Sequence, residues 1–131
     1  MKALLEPRTS GSFKVLIRVT NPSQADLYRD IEVLVDTGAT FTKLPADLLQ
    51  ELHIHQSATK RTLLADGRVI TRPSGHARIT IQGVSDLVPV IFGSRGEMIF
   101  VGATTLEILG FLVDPISQSL VPRDFLEPTE S

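Results

Sequence analysis

The stretch that indicates the fold and function of this chain is Leu34-Val35-Asp36-Thr37-Gly38-Ala39-Thr40. An apolar strand is predicted to end there in a carboxylate, a hydroxyl and a glycine. A carboxylate at the end of a buried strand is costly unless hydrogen bonds or chemistry use it. Gly38 is expected to adopt a positive φ angle, so that the chain turns sharply and backbone amides face the Asp36 carboxylate. The alternative is an ordinary capped turn, because Asp and Gly are common turn residues.

The segments on either side of this stretch predict a hairpin and a helix. Phe13 to Thr20 is β-branched and partly alternating, Asn21-Pro22-Ser23 interrupts it, and Ile31 to Val35 resumes as a strand. Pro45 to Leu52 predicts a short helix, because Pro occupies a plausible first helical position and the leucines are spaced to share one face.

A second hairpin is indicated by Asp66-Gly67, which lies between the strand-like segments Thr62–Ala65 and Arg68–Thr71. The Asp-Gly pair tolerates the positive φ angles that a tight turn demands. Further strands are predicted at His76–Ile81 and Leu87–Phe92.

The last part of the chain predicts a helix followed by a strand pair. Thr104–Leu109 has the pattern of a short helix that Gly110 stops. Phe111–Val113 and Ser119–Val121 are expected to pair as the final strands. Many short strands with one or two brief helices predict a small, closed all-β barrel.

Length and composition favour one folded domain. The chain has 131 residues, of which 42% are hydrophobic and 21% charged. Residues 12–122 are predicted to form the domain, with residues 1–11 as a flexible N-terminal arm and residues 123–131 as a C-terminal tail. The formal net charge is -2 and the basic residues are scattered, so nucleic acid is not an expected partner. Cysteine is absent, which excludes disulfides and thiolate metal sites.

The sequence also bears on membranes and location. No apolar run approaches the ~20 residues that a membrane span needs. The N-terminal segment becomes charged at Glu6 and meets Pro7 too early for the apolar core of a secretory signal. We therefore expect no membrane association and a cytoplasmic location.

Four features, in this order along the chain, resemble the retropepsin-like aspartic peptidases, the single-domain form found in retroviruses, retroelements and some bacteria. Asp36-Thr37-Gly38-Ala39 is similar to the catalytic motif of that family, and the Asp66-Gly67 hairpin is similar to its flap. Ile99-Phe100-Val101-Gly102 resembles its apolar-apolar-glycine element, and Thr104–Leu109 resembles its C-terminal helix. The resemblance covers roughly residues 13 to 122.

The resemblance implies an aspartic endopeptidase that acts on extended polypeptides as a symmetric homodimer, because a two-lobed enzyme needs two Asp-Thr-Gly loops and this sequence has one. The paired Asp36 carboxylates would activate a water, with Thr37 bonding across to the partner loop and with no metal or other cofactor. The residues implied as catalytic are Asp36, Thr37 and Gly38. Those implied as substrate-binding are Ala39, Ala65, Asp66 and Gly67.

Two departures from the family pattern leave an alternative open. Ala103 stands where many members carry an Arg that braces the site, and Thr40 stands where retroviral members often carry an Asp. The alternative is a catalytically silent module of the same fold, used for dimerisation, for peptide binding or as an adaptor. If the chain does cleave peptides, apolar walls from residues such as Ile70 or Val90 are expected to favour hydrophobic side chains around the cut.

The remaining chemistry-bearing residues are interpreted as structural. Asp114 also ends an apolar strand, but Pro115 follows it, so Asp114 is expected to be a turn residue. His53, His55 and His76 have no carboxylate or cysteine cluster to complete a site, so we expect surface histidines and no metal.

Overall fold

The computed structural model describes residues 12–129, and within them the protein is mostly β with two short helices. The strands are β1 (Lys14–Asn21), β2 (Gln24–Val35), β3 (Thr42–Pro45), β4 (Ala58–Leu63), β5 (Val69–Ile81), β6 (Val84–Gly93), β7 (Phe100–Val101), β8 (Phe111–Asp114) and β9 (Ser119–Pro122). The helices are α1 (Ala46–Glu51) and α2 (Ala103–Leu109). The predicted all-β fold with brief helices is confirmed.

Seven of the strands form one sheet that closes on itself. Their order is β1-β2-β7-β3-β6-β5-β4, and β1 also pairs with β5. All of these strands except β4 therefore form a ring, while β4 lies outside it along β5. Ring closure removes most of the open strand edges at which a small sheet would otherwise aggregate.

Strand β5 both closes the ring and extends out of it. Residues 78–80 pair with β1 and residues 74–81 pair with β6, whereas residues 69–73 pair only with β4 among the described strands. We call residues 58–73 the hairpin arm. Because the arm is a two-stranded ribbon beyond the ring, few strand pairings restrain its outer end.

The turns of the β4–β5 and β5–β6 hairpins are built differently. The tip of the hairpin arm spans Leu64 to Arg68, where the N–H of Gly67 donates to the carbonyl of Leu64 at 3.0 Å. Gly67 has a φ of 90°, but Asp66 does not have a positive φ. The expected two-residue turn at Asp66-Gly67 is therefore wrong. Instead, Gln82-Gly83 has two positive φ angles and joins β5 to β6 in two residues.

The two predicted helices are present with small shifts at their first residues. Pro45 is the last residue of β3 and the N-cap of α1, so this helix begins at Ala46, one residue later than predicted. Helix α2 ends at Gly110, whose φ of 82° is left-handed and whose N–H donates to the carbonyl of Leu106 at 2.9 Å. The glycine stop is confirmed.

The hydrophobic core fills the inside of the ring. Its most deeply buried members in the barrel are Ile17, Val19, Val33, Val35, Leu44, Ala77, Ile79, Val88, Val90 and Val101. Since Val90 has no exposed surface, the expectation that it forms a wall of a substrate pocket is wrong. Ile70, on the hairpin arm, is half-buried.

The C-terminal part of the described chain lies outside the ring. Strands β8 and β9 form a separate two-stranded sheet. After β9 the chain has no helix or strand up to residue 129, although the N–H of Arg123 donates to the carbonyl of Gly110 at 2.9 Å. The predicted arm of residues 1–11 lies outside the described residues. Neither described helix is long and apolar enough to cross a membrane.

Candidate active site

Asp36 follows β2 directly, at the point where β2 runs beside β7. The N–H of Asp36 donates to the carbonyl of Val101 at 2.9 Å, which continues the parallel pairing of the two strands. Val33 and Val35 are buried and Leu34 is only half-buried. Because side chains alternate along a strand, Leu34 and Asp36 share the face turned away from the core. The Asp36 carboxylate is therefore at the outer surface of the ring.

The Asp36 carboxylate is oriented by its own loop. The N–H of Gly38 donates to Oδ1 of Asp36 at 2.9 Å, and the N–H of Ala39 donates to the carbonyl of Asp36 at 3.2 Å. The predicted amide contact is thus present, but the expected positive φ of Gly38 is wrong. A Cβ on Gly38 would lie 3.2 Å from Oδ1 of Asp36, so glycine is favoured here because there is little space between the backbone and the carboxylate.

Thr37, at the outer end of the loop, is exposed. Within residues 12–129 its hydroxyl makes no hydrogen bond. The structure therefore leaves the Thr37 hydroxyl available to a group from outside the described chain.

The start of α2 holds the loop from behind. The N–H groups of Ala103 and Thr104 donate to the carbonyls of Ala39 and Thr40, at 2.8 and 2.9 Å. The first N–H groups of a helix have no partner inside the helix, so the loop satisfies two of them. A Cβ on Gly102 would lie 2.5 Å from the carbonyl oxygen of Phe41. The glycine of the apolar-apolar-glycine element therefore permits the close approach of helix and loop.

A buried threonine pair connects the same parts of the structure. The hydroxyls of Thr42 and Thr105 are 2.6 Å apart, and the N–H of Gly102 donates to Oγ1 of Thr42 at 3.1 Å. Both threonine side chains are fully buried. Sequence reasoning missed this pair, because single threonines 63 positions apart carry no local pattern.

Three residues on adjacent strands lie in a row across the face that carries Asp36. Leu34 on β2 pairs with Phe100 on β7, and Phe100 pairs with Lys43 on β3. Register partners in neighbouring strands project to the same face. All three are half-buried, while their neighbours Val35, Val101 and Thr42 are fully buried. We call Leu34, Phe100 and Lys43 the cleft row.

At the Lys43 end, the cleft row meets a cluster of charges. Arg72 on the hairpin arm donates to both carboxylate oxygens of Glu97, at 2.8 and 2.5 Å, and Nζ of Lys43 lies 3.7 Å from Oε2 of Glu97. The N–H of Ser94 also donates to Glu97, at 2.7 Å. The Arg72 hydrogen bonds, reinforced by Ser94 and Lys43, lower the pKa of Glu97 from 4.5 to about 2. The cluster therefore joins the hairpin arm to the body.

The tip of the hairpin arm contains the residues expected to bind substrate. Ala65, Asp66 and Gly67 are all exposed. Asp66 accepts hydrogen bonds from the backbone N–H and the Nε of Arg68, at 3.0 and 2.7 Å, which lowers the pKa of Asp66. Within the described chain no hydrogen bond or ion pair joins the tip to Asp36. The structure does not bring these two parts of the predicted site into contact.

The base of the arm, by contrast, touches the loop region. Nζ of Lys60 on β4 lies 5.2 Å from the centre of the Phe41 ring, within the range of a cation–π contact. Together with the Arg72 to Glu97 bonds, this contact restrains both strands of the arm at its base. The apolar side chains of Leu63 and Val69, which are register partners beside the tip, remain exposed.

The other candidate residues are placed as follows. Oδ1 of Asp114 accepts hydrogen bonds from the N–H groups of Ile116 and Ser117, at 3.0 and 3.4 Å, which lower the pKa of Asp114. The prediction of a turn residue is confirmed. The three histidines, His53, His55 and His76, are exposed. Among the described residues no group of three His, Cys, Asp or Glu is arranged to hold a metal ion.

A family model described as Aspartyl protease matches residues 25–114, more than half of the chain. The chain belongs to this family. The family is of the retropepsin-like type, in agreement with the resemblance seen in the sequence. The part of this aspartyl protease domain that matches runs from β2 to β8 and contains the Asp36 loop, the hairpin arm and α2. A search of curated proteins returned no match.

Proposed function

We propose that the chain is an aspartic endopeptidase that cleaves extended polypeptides as a symmetric homodimer, with Asp36 of each protomer in one shared site. The observation that carries the proposal is the carboxylate of Asp36, which lies outside the core at the end of β2 and is oriented by the N–H of Gly38 at 2.9 Å. One carboxylate removes a proton from water while the other, protonated, polarises the scissile carbonyl.

The need for a second protomer follows from the count of motifs. The sequence contains one Asp-Thr-Gly, whereas the mechanism requires two carboxylates that share a proton. Thr37 supports the same proposal, because its exposed hydroxyl has no hydrogen bond inside the described chain. In a symmetric pair the same surface meets itself, so Thr37 of each protomer can bond to the loop of the other.

The hairpin arm fits the role of a flap that covers the substrate. It projects beyond the ring, and its base is restrained by Arg72 and Lys60 while its outer end pairs only with itself. A bound polypeptide would lie extended beside Ala39 and the tip residues Ala65, Asp66 and Gly67, using backbone hydrogen bonds as an added strand does. The exposed apolar pair Leu63 and Val69 would contact its side chains.

The direct test of the proposal is Asp36→Asn. The amide keeps the shape of the side chain and an oxygen for the Gly38 N–H, but it removes the general base and the shared proton. Cleavage of an unfolded protein at mildly acid pH should fall by a factor on the order of 10³ or more. Peptide products are measured by mass spectrometry, and unfolding curves verify that the variant is folded.

A matched control is Asp114→Asn, which changes another aspartate at the end of an apolar strand. Within the described part of the chain the Asp114 carboxylate accepts hydrogen bonds only from its own turn, so its replacement should leave the specific activity within about twofold. Equal cleavage by wild type and Asp36→Asn would contradict the catalytic assignment. If wild type binds unfolded chains tightly but does not cleave them, the result would favour the catalytically silent peptide-binding module. The presence of Ala103 where many family members carry Arg is the feature that keeps this alternative open.

A further inference from the structure

The ammonium group of Lys43 has hydrogen-bond donors that the described residues do not use. Its nearest carboxylate oxygen, on Glu97, is 3.7 Å away, and its other neighbour is the Phe100 ring, 5.3 Å from Nζ. It makes no hydrogen bond to a described residue, whereas Arg72 takes both oxygens of the same carboxylate. An ammonium has three N–H donors, so Lys43 retains the capacity to bind an anion.

The position of this ammonium is suited to a ligand rather than to the core. The side chain of Lys43 is only 16% exposed, and its Nζ lies 5.3 Å from the centre of the Phe100 ring. Every fully buried side-chain nitrogen or oxygen in the described residues has a hydrogen-bond partner, so the unbonded Nζ of Lys43 must still reach the surface. The cluster of Lys43, Arg72 and Glu97 carries two positive charges against one negative charge. A net positive, partly desolvated cluster of charges attracts a carboxylate more strongly than open solvent does.

The cleft row connects the cluster of Lys43, Arg72 and Glu97 to the catalytic loop. Leu34 shares a face with Asp36, and Lys43 lies two strands away from Leu34 in the same row. Two strand spacings of about 4.8 Å and an extended substrate rise of about 3.3 Å per residue place Lys43 within about four residues of the scissile bond. Arg72, which belongs to the hairpin arm, contributes to this cluster, so a substrate held under the arm would pass the cluster.

We propose that Lys43 is a specificity-determining residue that binds an acidic side chain, Asp or Glu, of the polypeptide substrate. This inference rests on the proposed peptidase function and adds a substrate class to it. Arg72 donates hydrogen bonds to both oxygens of Glu97, so Lys43, whose Nζ lies 3.7 Å from Oε2 of the same carboxylate, shares that ion pair and keeps its N–H donors for a ligand. The prediction differs from the purely hydrophobic preference expected from the sequence.

The test uses a cleaved parent peptide in which each position within four residues of the scissile bond is changed in turn to Glu, Gln or Lys. For wild type, kcat/KM should be about tenfold higher with Glu than with Gln at one position, the size of one charge-assisted contact. Lys43→Met, which keeps an unbranched stem but removes the charge, should reduce the Glu-to-Gln ratio of kcat/KM to about one. Lys43→Glu should favour Lys at the same position.

Two further variants distinguish a specific contact between Lys43 and the acidic side chain from a general attraction of acidic peptides to positive charge. Arg78→Met removes a cation from the other end of β5, where the side chain is exposed and, among residues 12–129, hydrogen-bonds only to Ser85, and it should leave the Glu preference intact. Glu97→Gln should increase the preference, because it removes the carboxylate that competes for Lys43. Loss of the preference in Arg78→Met would overturn the assignment to Lys43.

Binding to the Asp36→Asn protein tests the inference without catalysis. Titration calorimetry with the Glu and Gln peptides should show the same ratio of about tenfold in affinity, and Lys43→Met in this background should remove it. Equal binding and equal cleavage of the Glu and Gln peptides at every position would overturn the inference while the peptidase proposal stands. A wild type that binds the Glu peptide but cleaves nothing would overturn the peptidase proposal alone.

Discussion

At the scale of single residues, the candidate catalytic loop is held mainly by backbone groups. The carbonyls of Ala39 and Thr40 accept from the first N–H groups of α2, and the carboxylate of Asp36 accepts from the N–H of Gly38. Ala103 takes part through its N–H, which any residue other than proline supplies. An arginine side chain at that position is therefore not required for an ordered Asp36 loop, and the departure at Ala103 is compatible with activity.

The buried side-chain pair of Thr42 and Thr105 also contributes to this support, and Thr42 gives a stability prediction. Thr42→Val keeps the volume but leaves the N–H of Gly102 and the hydroxyl of Thr105 without their present partner. The free energy of unfolding should decrease by about 1–3 kcal/mol, measured by urea denaturation. Thr42→Ser retains the hydroxyl and should lose clearly less. Equal losses in the two variants would show that the methyl group, and not the hydrogen bonds, stabilises this site.

The sequence could predict contacts between residues that are close along the chain, but not contacts between distant positions. The contact between Gly38 and Asp36 spans two positions, so the motif indicated it correctly. The reason for the glycine was wrong, since the constraint is the 3.2 Å approach of a Cβ to Oδ1 of Asp36 and not the φ angle. The cluster of Lys43, Arg72 and Glu97 was missed altogether, because only the closed ring brings three distant positions together.

At the scale of elements, the hairpin arm depends on Glu97 as well as on its own pairing. Arg72 on the arm bonds to Glu97 on the body, and these bonds are partly shielded from water, with 17% and 26% of the two side chains exposed. An ion pair with two hydrogen bonds in such a place contributes more than an exposed one. The arm should therefore become less firmly attached when the Glu97 carboxylate is protonated.

This linkage predicts a pH-dependent effect of Glu97→Gln on stability. The pKa of Glu97 is about 2 in the folded protein against 4.5 unperturbed, so its stabilising contribution is fully present above about pH 5 and is lost as the pH falls towards 2. Wild type should exceed the variant in free energy of unfolding by about 2 kcal/mol at pH 7, with the difference shrinking between pH 5 and 2. Denaturant titrations across this range measure it.

The matched control for that experiment is Glu51→Gln. Glu51 bonds to Arg29, but 56% and 51% of the two side chains are exposed, so the loss should be within about 0.5 kcal/mol. A difference between wild type and Glu97→Gln that stays constant from pH 7 to pH 2 would show that the effect comes from packing and not from the charge.

Two elements of the ring illustrate the limit of sequence patterns. Strands β3 and β7 have four and two residues, too short for an alternating pattern to rise above chance. They exist because parallel and antiparallel neighbours pair with them, which is a property of the assembled sheet. Both helices and parts of the longer strands were predicted, since alternation, turn residues and a terminal glycine mark them locally. The sequence placed only Ile31–Val35 in β2 and divided β5 into two segments, whereas β2 begins at Gln24 and β5 runs unbroken from Val69 to Ile81.

At the scale of the whole molecule, the ring accounts for the folding of one chain, whereas the single Asp36 loop supplies only one of the two carboxylates that the proposed mechanism needs. Ring closure explains how about 110 residues can form a stable barrel, and the all-β class followed from the sequence. The pairing of two such barrels stays a prediction, and so do the roles of the site residues. The division into an N-terminal segment (1–11), a domain (12–122) and a C-terminal tail (123–131) also stays a prediction. Nothing in the fold of one chain supplies the second carboxylate, so the proposed function makes activity a property of the assembly.

Association is therefore the property that tests the proposed mechanism at this scale. Specific activity should fall when the protein is diluted below the dimer dissociation constant, because each protomer contributes half a site. Adding a ninefold excess of Asp36→Asn should reduce the activity per wild-type chain to about a tenth, since random exchange leaves few wild-type pairs. An equal excess of the double variant Asp36→Asn with Thr37→Val should inhibit less, because Thr37 is proposed to bond across the interface. Sedimentation measured at the same concentrations relates each activity to the fraction of dimer. Constant specific activity in a demonstrably monomeric regime, without inhibition by Asp36→Asn, would mean that one chain carries a complete site and that the shared pair of Asp36 carboxylates is not the catalyst.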